Sequence, residues 1–394
     1  MERQLMKARQ SVHAAFAASA MVLLLGASAW AQGPSDTAVA VPAHEQEPAA
    51  QEVPAASSVL SNMRIRGYAD VGLGRPLQEK LPDGGLQNSK YSLQTADLEL
   101  FITSNLSEQW NFLSDVLFTT DFSNEPSVEV DRVLIQYGPS KYFRVGLGKF
   151  NSAIGYYPNQ FHRAKFYQTT TGRPVMFTDE DNGGILPVHQ VGISVQGEIP
   201  SGSLGLHYVG EITNGRGFSA RAHEIQSFVD SNNMKAINGG LYVQPDVAPA
   251  LDAGFTVYRD TIESDALAKF RETITAVHAV WVTPNFEFLN EAAILKHETE
   301  ATGATDTTKS FYTQISRRVR DTRPFVRFDY QDVPFTDPVF ALGDVLPPFG
   351  TRRAISGGVD FAVRQFAVIK VQYDHAQQHG VWANGAHAQL SFAF

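Results

Sequence analysis

The sequence predicts an all-β fold: a transmembrane antiparallel up-and-down β-barrel of about sixteen strands over residues 62–394. Three observations predict it. From residue 63 to the last residue, segments of about ten residues alternate apolar and polar side chains, the period of a strand with two unlike faces. The links between these segments alternate in length, as they do when hairpins turn tightly on one side of a membrane and loosely on the other. No further continuous apolar run of about 18 residues follows the N-terminal region, so lipid would be crossed by strands.

Residues 1–31 read as a Sec-type signal peptide. Lys7 and Arg9 precede an apolar stretch from Ala14 to Ala29, and Ala29-Trp30-Ala31 supplies small residues to a peptidase. The stretch is shorter than the roughly 20 residues of a spanning helix; a retained anchor is the alternative. Residues 32–61 are rich in Ala, Pro, Glu and Gln and carry Asp36, Glu45, Glu47 and Glu52 without a Lys or Arg, the composition of a disordered periplasmic leader. Strands are then expected at 63–72, 91–103, 109–120, 128–138, 142–150, 188–198, 203–213, 233–243, 250–260, 272–283, 286–297, 309–318, 323–332, 352–362, 366–375 and 384–394. Those at 272–283 and 286–297 alternate weakly, with His278 and Glu291 as the only guides, and leave fourteen or eighteen strands as alternative counts. Every second link is short, as at 139–141, 200–202 and 284–285. The intervening links are mostly longer, among them 73–90, 151–187, 261–271, 298–308, 334–351 and 376–383.

A charge facing hydrocarbon at mid-membrane costs about 2–4 kcal/mol, so the charged faces must look inward. That places Arg64, Arg66, Asp97, Glu99, Asp115, Arg132, Arg144, Arg327, Asp329, Asp360 and Lys370 along the lumen, and sends Trp110, Phe112 and Phe118 outward toward strand ends. A barrel of this size is too wide for its side chains to fill and holds water. The longest link, 151–187, is the candidate to narrow it. It carries Arg163, Lys165 and Arg173, then Asp179, Glu180 and Asp181. Opposite charges across a pore create a transverse field that favours small polar solutes. The mixed balance leaves the sign of ion preference open, and any one of these charges has a structural ion pair as its alternative role.

The last strand places Ala386, Ala388, Leu390, Phe392 and Phe394 on one face. It resembles the C-terminal strand of bacterial outer-membrane β-barrels, which implies that Phe392 and Phe394 belong to the signal read by the barrel-assembly machinery. The third long loop follows Val145-Gly146-Leu147-Gly148-Lys149-Phe150 and contains Ile154-Gly155-Tyr156-Tyr157-Pro158. It resembles the constriction loop of the porin family. The Gly-Lys-Phe strand end is similar to that of the phosphate-selective porin O/P group. The resemblance implies a homotrimeric channel in the bacterial outer membrane, in contact with lipid, passing small polar or ionic solutes by passive diffusion. A channel selective for an anion, phosphate or a carboxylate, is the alternative. A non-conducting adhesin or a membrane enzyme is a further one.

Composition agrees. Net charge is −9, too acidic for a protein devoted to nucleic acid. Mean hydropathy is −0.18, below that of a helical membrane protein. Aromatic residues at 11% suit girdles at two interfaces, and the lack of cysteine excludes thiol catalysis and disulfides. No Gly-x-Ser-x-Gly appears, so no enzyme and no cofactor are expected. Asp179-x-Asp181-x-Gly183-Gly184 lacks the closing acid of a calcium loop, since Gln190 stands there; His375 and His379 fall at a strand end rather than on a helix, so no metal is expected either.

Overall fold

The computed structural model describes residues 62–75, 79–80, 86–87, 92–120, 126–161, 165–179, 184–219, 224–226, 232–263, 268–342, 349–378 and 380–394. The expected signal peptide (1–31) and leader (32–61) lie outside the described residues, as do Arg163, Glu180 and Asp181.

Sixteen strands close into one barrel. They are β1 (Met63–Arg75), β2 (Ser92–Asn105), β3 (Trp110–Thr120), β4 (Pro126–Ser140), β5 (Phe143–Asn151), β6 (His189–Ile199), β7 (Leu206–Thr213), β8 (Ala236–Val243), β9 (Leu251–Glu263), β10 (Lys269–Val282), β11 (Phe286–Thr299), β12 (Thr305–Arg317), β13 (Thr322–Val333), β14 (Gly350–Arg364), β15 (Ala367–Gln378) and β16 (Val381–Ala393). Each pairs antiparallel with its neighbours in sequence, and β16 returns to β1. The seam runs Asp70↔Ser391, Ala69↔Phe392 and Tyr68↔Ala393, and Phe394 extends it: its N–H donates to Gly67 O at 2.9 Å and its carbonyl accepts from Gly67 N at 2.8 Å. A side chain at Gly67 would start 2.3 Å from the Phe394 ring, so glycine here lets the last aromatic lie flat on the seam.

The two faces separate as the alternation requires. On β13, Arg327, Asp329 and Gln331 are buried while Val326 is exposed. On β15, Lys370, Gln372 and Asp374 are buried while Ile369, Val371 and Tyr373 are exposed. Exposed aromatics collect at the short-turn end, with Trp110, Tyr142, Phe143, Trp281, Phe361, Phe366 and Phe394 forming a girdle. Phe112 and Phe118 are half-buried rather than fully presented.

The weakly alternating pair at 272–283 and 286–297 forms the long strands β10 and β11, joined by a register running from Phe270↔Thr299 to Val282↔Glu287. Ladders also reach further than the alternation does. Glu263↔Lys269 and Glu298↔Thr305 still pair, so the links expected at 261–271 and 298–308 shrink to 264–268 and 300–304. The link expected at 376–383 closes to 379–380. Backbone pairing continues where polar side chains on both faces leave no contrast to read.

The outward assignment has a direct test. Val371→Arg puts a guanidinium on the lipid face in mid-strand and is expected to lower stability by about 2–4 kcal/mol. Urea unfolding of the barrel in phospholipid vesicles measures it.

Candidate functional site

The described parts of the link between β5 and β6, residues 152–161, 165–179 and 184–188, pack against inward-facing residues of the barrel wall. Its neck is drawn shut at the wall: Ser152 N donates to Val188 O at 2.8 Å, and Ser152 Oγ to Pro187 O at 2.6 Å. Among its described residues a short helix, α1 (Tyr157–Phe161), and a 3-10 turn at Val175–Phe177 give it shape. Its apolar residues Ile154, Tyr156, Tyr157, Met176, Phe177 and Ile185 pack against inward Tyr258, Ile274, Leu289, Leu295, Tyr312 and Val333 of β9–β13. Tyr157 and Phe177 stack at 5.7 Å, and Tyr312 meets each of them edge-on at 6.2 Å.

Backbone N–H groups carried into the lumen need acceptors. Wall carboxylates supply them. Glu291 accepts from Tyr156 N at 2.6 Å, from Tyr157 N at 3.1 Å and from the Tyr312 hydroxyl at 2.7 Å. Glu211 takes Ala153 N at 3.0 Å, Asp329 takes Val175 N at 3.0 Å, and Glu287 takes the Thr169 hydroxyl at 3.1 Å. The sequence pattern did not single out Glu211 or Glu287 as site residues. The available signal was an acid standing at inward parity in a strand with few other charges, as Glu291 does.

The basic residues work in the opposite direction. Lys165 reaches from the loop to Asp70 at 3.1 Å and Asp97 at 2.5 Å, which face each other across β1 and β2. Arg327 pairs with Asp329 at 2.8 Å and donates to Gly172 O at 2.8 Å. Lys370 is wholly buried and donates to the carbonyls of Lys165 and Thr170. Arg173 pairs with Asp179 at 2.5 Å inside the loop itself. Arg132 pairs with buried Asp115 at 2.9 Å, and Glu99 is buried. Of the charges expected at the constriction, Lys165, Arg173 and Asp179 are therefore engaged in ion pairs, as are Asp97, Asp115, Arg132, Arg327 and Asp329 among those expected along the wall. His375 stacks on Trp382 at 4.4 Å, while His379 and Asp181 lie outside the described residues.

The lumen is filled unevenly. On β11, β12 and β13 the inward residues from Glu287 to His297, Thr308 to Ser316 and Phe325 to Val333 are buried. Across the barrel, inward Phe101, Thr103, Arg132, Gln136, Arg144 and Gln196 keep partial exposure, and Arg64 and Arg66 are exposed. The loop thus covers the inward residues of β11–β13 and leaves these positions of β1, β2 and β4–β6 accessible, while Asp70, Glu99, Asp115 and Gln190 on the same side are buried. Arg66 and Arg144 form no ion pair among the described residues.

This architecture is shared. The chain matches an anion-selective porin from Comamonas acidovorans with a TM-score of 0.60 at 12% identity, over 84% of this chain and 99% of that one. The porin fold is established. The outer membrane channel DcaP of Acinetobacter baumannii matches with a TM-score of 0.57 at 10% identity, over 84% and 97% of the two chains. OmpT, an outer membrane protein of Vibrio cholerae, matches in its trimer form with a TM-score of 0.54 at 9% identity, over 84% and 99%. No family model and no curated protein matches the sequence. At these identities the likeness lies in the porin fold alone.

Two outcomes follow from the anchoring. Glu291→Ala leaves two buried amides without an acceptor, at roughly 1–3 kcal/mol each, and is expected to loosen the loop and raise single-channel conductance. Tyr312→Phe removes one donor and leaves both amides satisfied, so it should change conductance little; equal conductance in wild type and both variants would refute the anchor. Lys165 gives a pH dependence. Burial opposes its charge, but Asp70 and Asp97 outweigh burial and hold its pKa above the usual 10.5. A raised pKa stabilises below the unfolded value and is lost as pH rises through the folded one. The tether is therefore expected to persist at neutral pH and to fail only above 10.5, with Lys165→Met insensitive in that window when proteolysis of the loop is followed.

Proposed function

We propose that the chain is an outer-membrane channel that passes small hydrophilic solutes by passive diffusion, its bore set by the 152–188 loop. One observation carries the reading: the loop is fixed against the inward faces of β9–β13, while inward Arg66, Gln136, Arg144, Ser194 and Gln196 of β1 and β4–β6 keep exposure. A barrel built only as an anchor or adhesin has no need to hold one wall wet and rigid. Selectivity is then a matter of size and of the charges along the wet wall. Arg163, Glu180 and Asp181 belong to the same proposal as charges of the constriction loop, with Lys165, Arg173 and Asp179 shaping it through their pairs.

A preference for anions is the second reading, supported by Arg66 and Arg144 on the wet wall without acidic partners among the described residues. Export by the signal peptide read in residues 1–31 belongs to the proposal, and recognition of Phe392 and Phe394 by the assembly machinery and a homotrimer complete it on the strength of the sequence resemblance.

Recording in planar bilayers tests both readings. Steady single-channel conductance is expected, and its absence would remove the channel in favour of an adhesin or enzyme. In a salt gradient the reversal potential is expected to show anion preference, and Arg66→Glu with Arg144→Glu to move it toward cations. An unmoved reversal potential would remove these two residues from the selectivity of the pore.

A further inference from the structure

A cavity of about 310 Å³ opens between the first part of the loop and the wall of β3–β10. It is within the size range of small-molecule sites, roughly 300–1,000 Å³. Its chemistry has one distinctive feature: the charged groups that line it already have hydrogen-bond or ion-pair partners. Arg132 is held by Asp115 at 2.9 Å. Asp252 accepts from Gln244 at 2.8 Å and meets His278 at 2.8 Å. Glu211 is occupied by Ala153 N at 3.0 Å and by Asn238 at 2.8 Å. An ionic ligand would have to take one of these groups from its partner, leaving the other charge exposed to a poorly solvating wall.

The uncharged groups are the free ones. Gln136, Ser194 and Gln196 line the cavity, keep partial exposure and make no side-chain hydrogen bond among the described residues. Tyr242 lines it too, its ring stacked on His207 at 4.9 Å and its hydroxyl without a hydrogen bond among the described residues. Each carboxamide offers both donors and acceptors, and a hydroxyl is both at once. Neighbouring sugar hydroxyls call for such a set, and Tyr242 places an aromatic ring, stacked on His207 on one side, beside it. We propose that this chamber is a binding subsite for a small uncharged polyhydroxylated solute, a mono- or disaccharide, seated on Gln136, Ser194, Gln196 and Tyr242 as it passes. The proposal deepens the diffusion-channel reading and rests on it for its role in transport.

The test separates the two. Calorimetric titration of the detergent-solubilised barrel with glucose and with maltose reads binding without conduction, and bilayer recording with the same sugars reads occlusion of the ion current. Saturable binding of at least one sugar is expected. Gln136→Ala with Gln196→Ala should weaken it about tenfold, the loss of two neutral hydrogen bonds. Tyr242→Phe, which keeps the ring, should weaken it less. Circular dichroism of each variant verifies that the barrel has formed. Glucose 6-phosphate should bind no more tightly than glucose. Absence of saturable binding by both sugars, binding unchanged in the double variant, or tighter binding of the phosphorylated sugar overturns the chamber. Conductance without sugar binding overturns the chamber and keeps the channel. Sugar binding without any conductance supports the chamber and overturns the channel.

Discussion

Everything in this structure depends on a backbone that must find its hydrogen-bond partners without water. In hydrocarbon an unpaired amide is costly, and a sheet can avoid leaving any only by closing on itself. Here closure is made by β1 and β16, with Gly67 and Phe394 exchanging two backbone hydrogen bonds at the seam. The same rule then operates a second time inside the barrel. The 152–188 loop brings its own amides into the lumen, away from the strand ladders, and Glu211, Glu291 and Asp329 accept from them.

That second application explains the distribution of charge. Inward carboxylates on the β9–β13 side are consumed as acceptors, and inward cations from β13 and β15 hold loop carbonyls. The aromatic brace of Tyr157, Phe177 and Tyr312 fills the space between them. Beyond the loop, Arg216 donates to Glu272 at 2.9 Å and to Ile185 O at 2.7 Å, while His297 bridges Glu272 and Asp337. The loop is thus tied at its return end to the wall as firmly as at its neck. On the opposite wall Asp70 and Asp97 hold Lys165 of the loop, while Arg66 and Arg144 form no ion pair among the described residues and keep exposure.

The fold was largely legible in the sequence because each strand declares its two faces independently. Gln190-Ser194-Gln196 against Val191-Ile193-Val195 needs no partner to be read. Strand ends were less so: Glu263 and Lys269 still pair in the ladder, where their polarity reads as loop. The site was legible only in part, for a physical reason. Period two says that Lys370, Arg327 and Asp329 point inward, and they do. It cannot say whether inward means water or protein. That depends on the loop, whose contacts with Lys370, Arg327 and Glu291 join residues far apart in the chain. The uncovered residues Arg66, Arg144 and Gln196 carry the same local pattern as the covered ones.

The double fastening of the inner loop bears on what a permeating molecule experiences. With its neck pinched at Ser152 and Val188, its middle hung on Glu291 and its far end held through Ile185, the described part of the loop is fastened at three separate points. In the channel proposed above, a passage narrowed by a loop so fastened resists a solute chiefly through the liquid it holds.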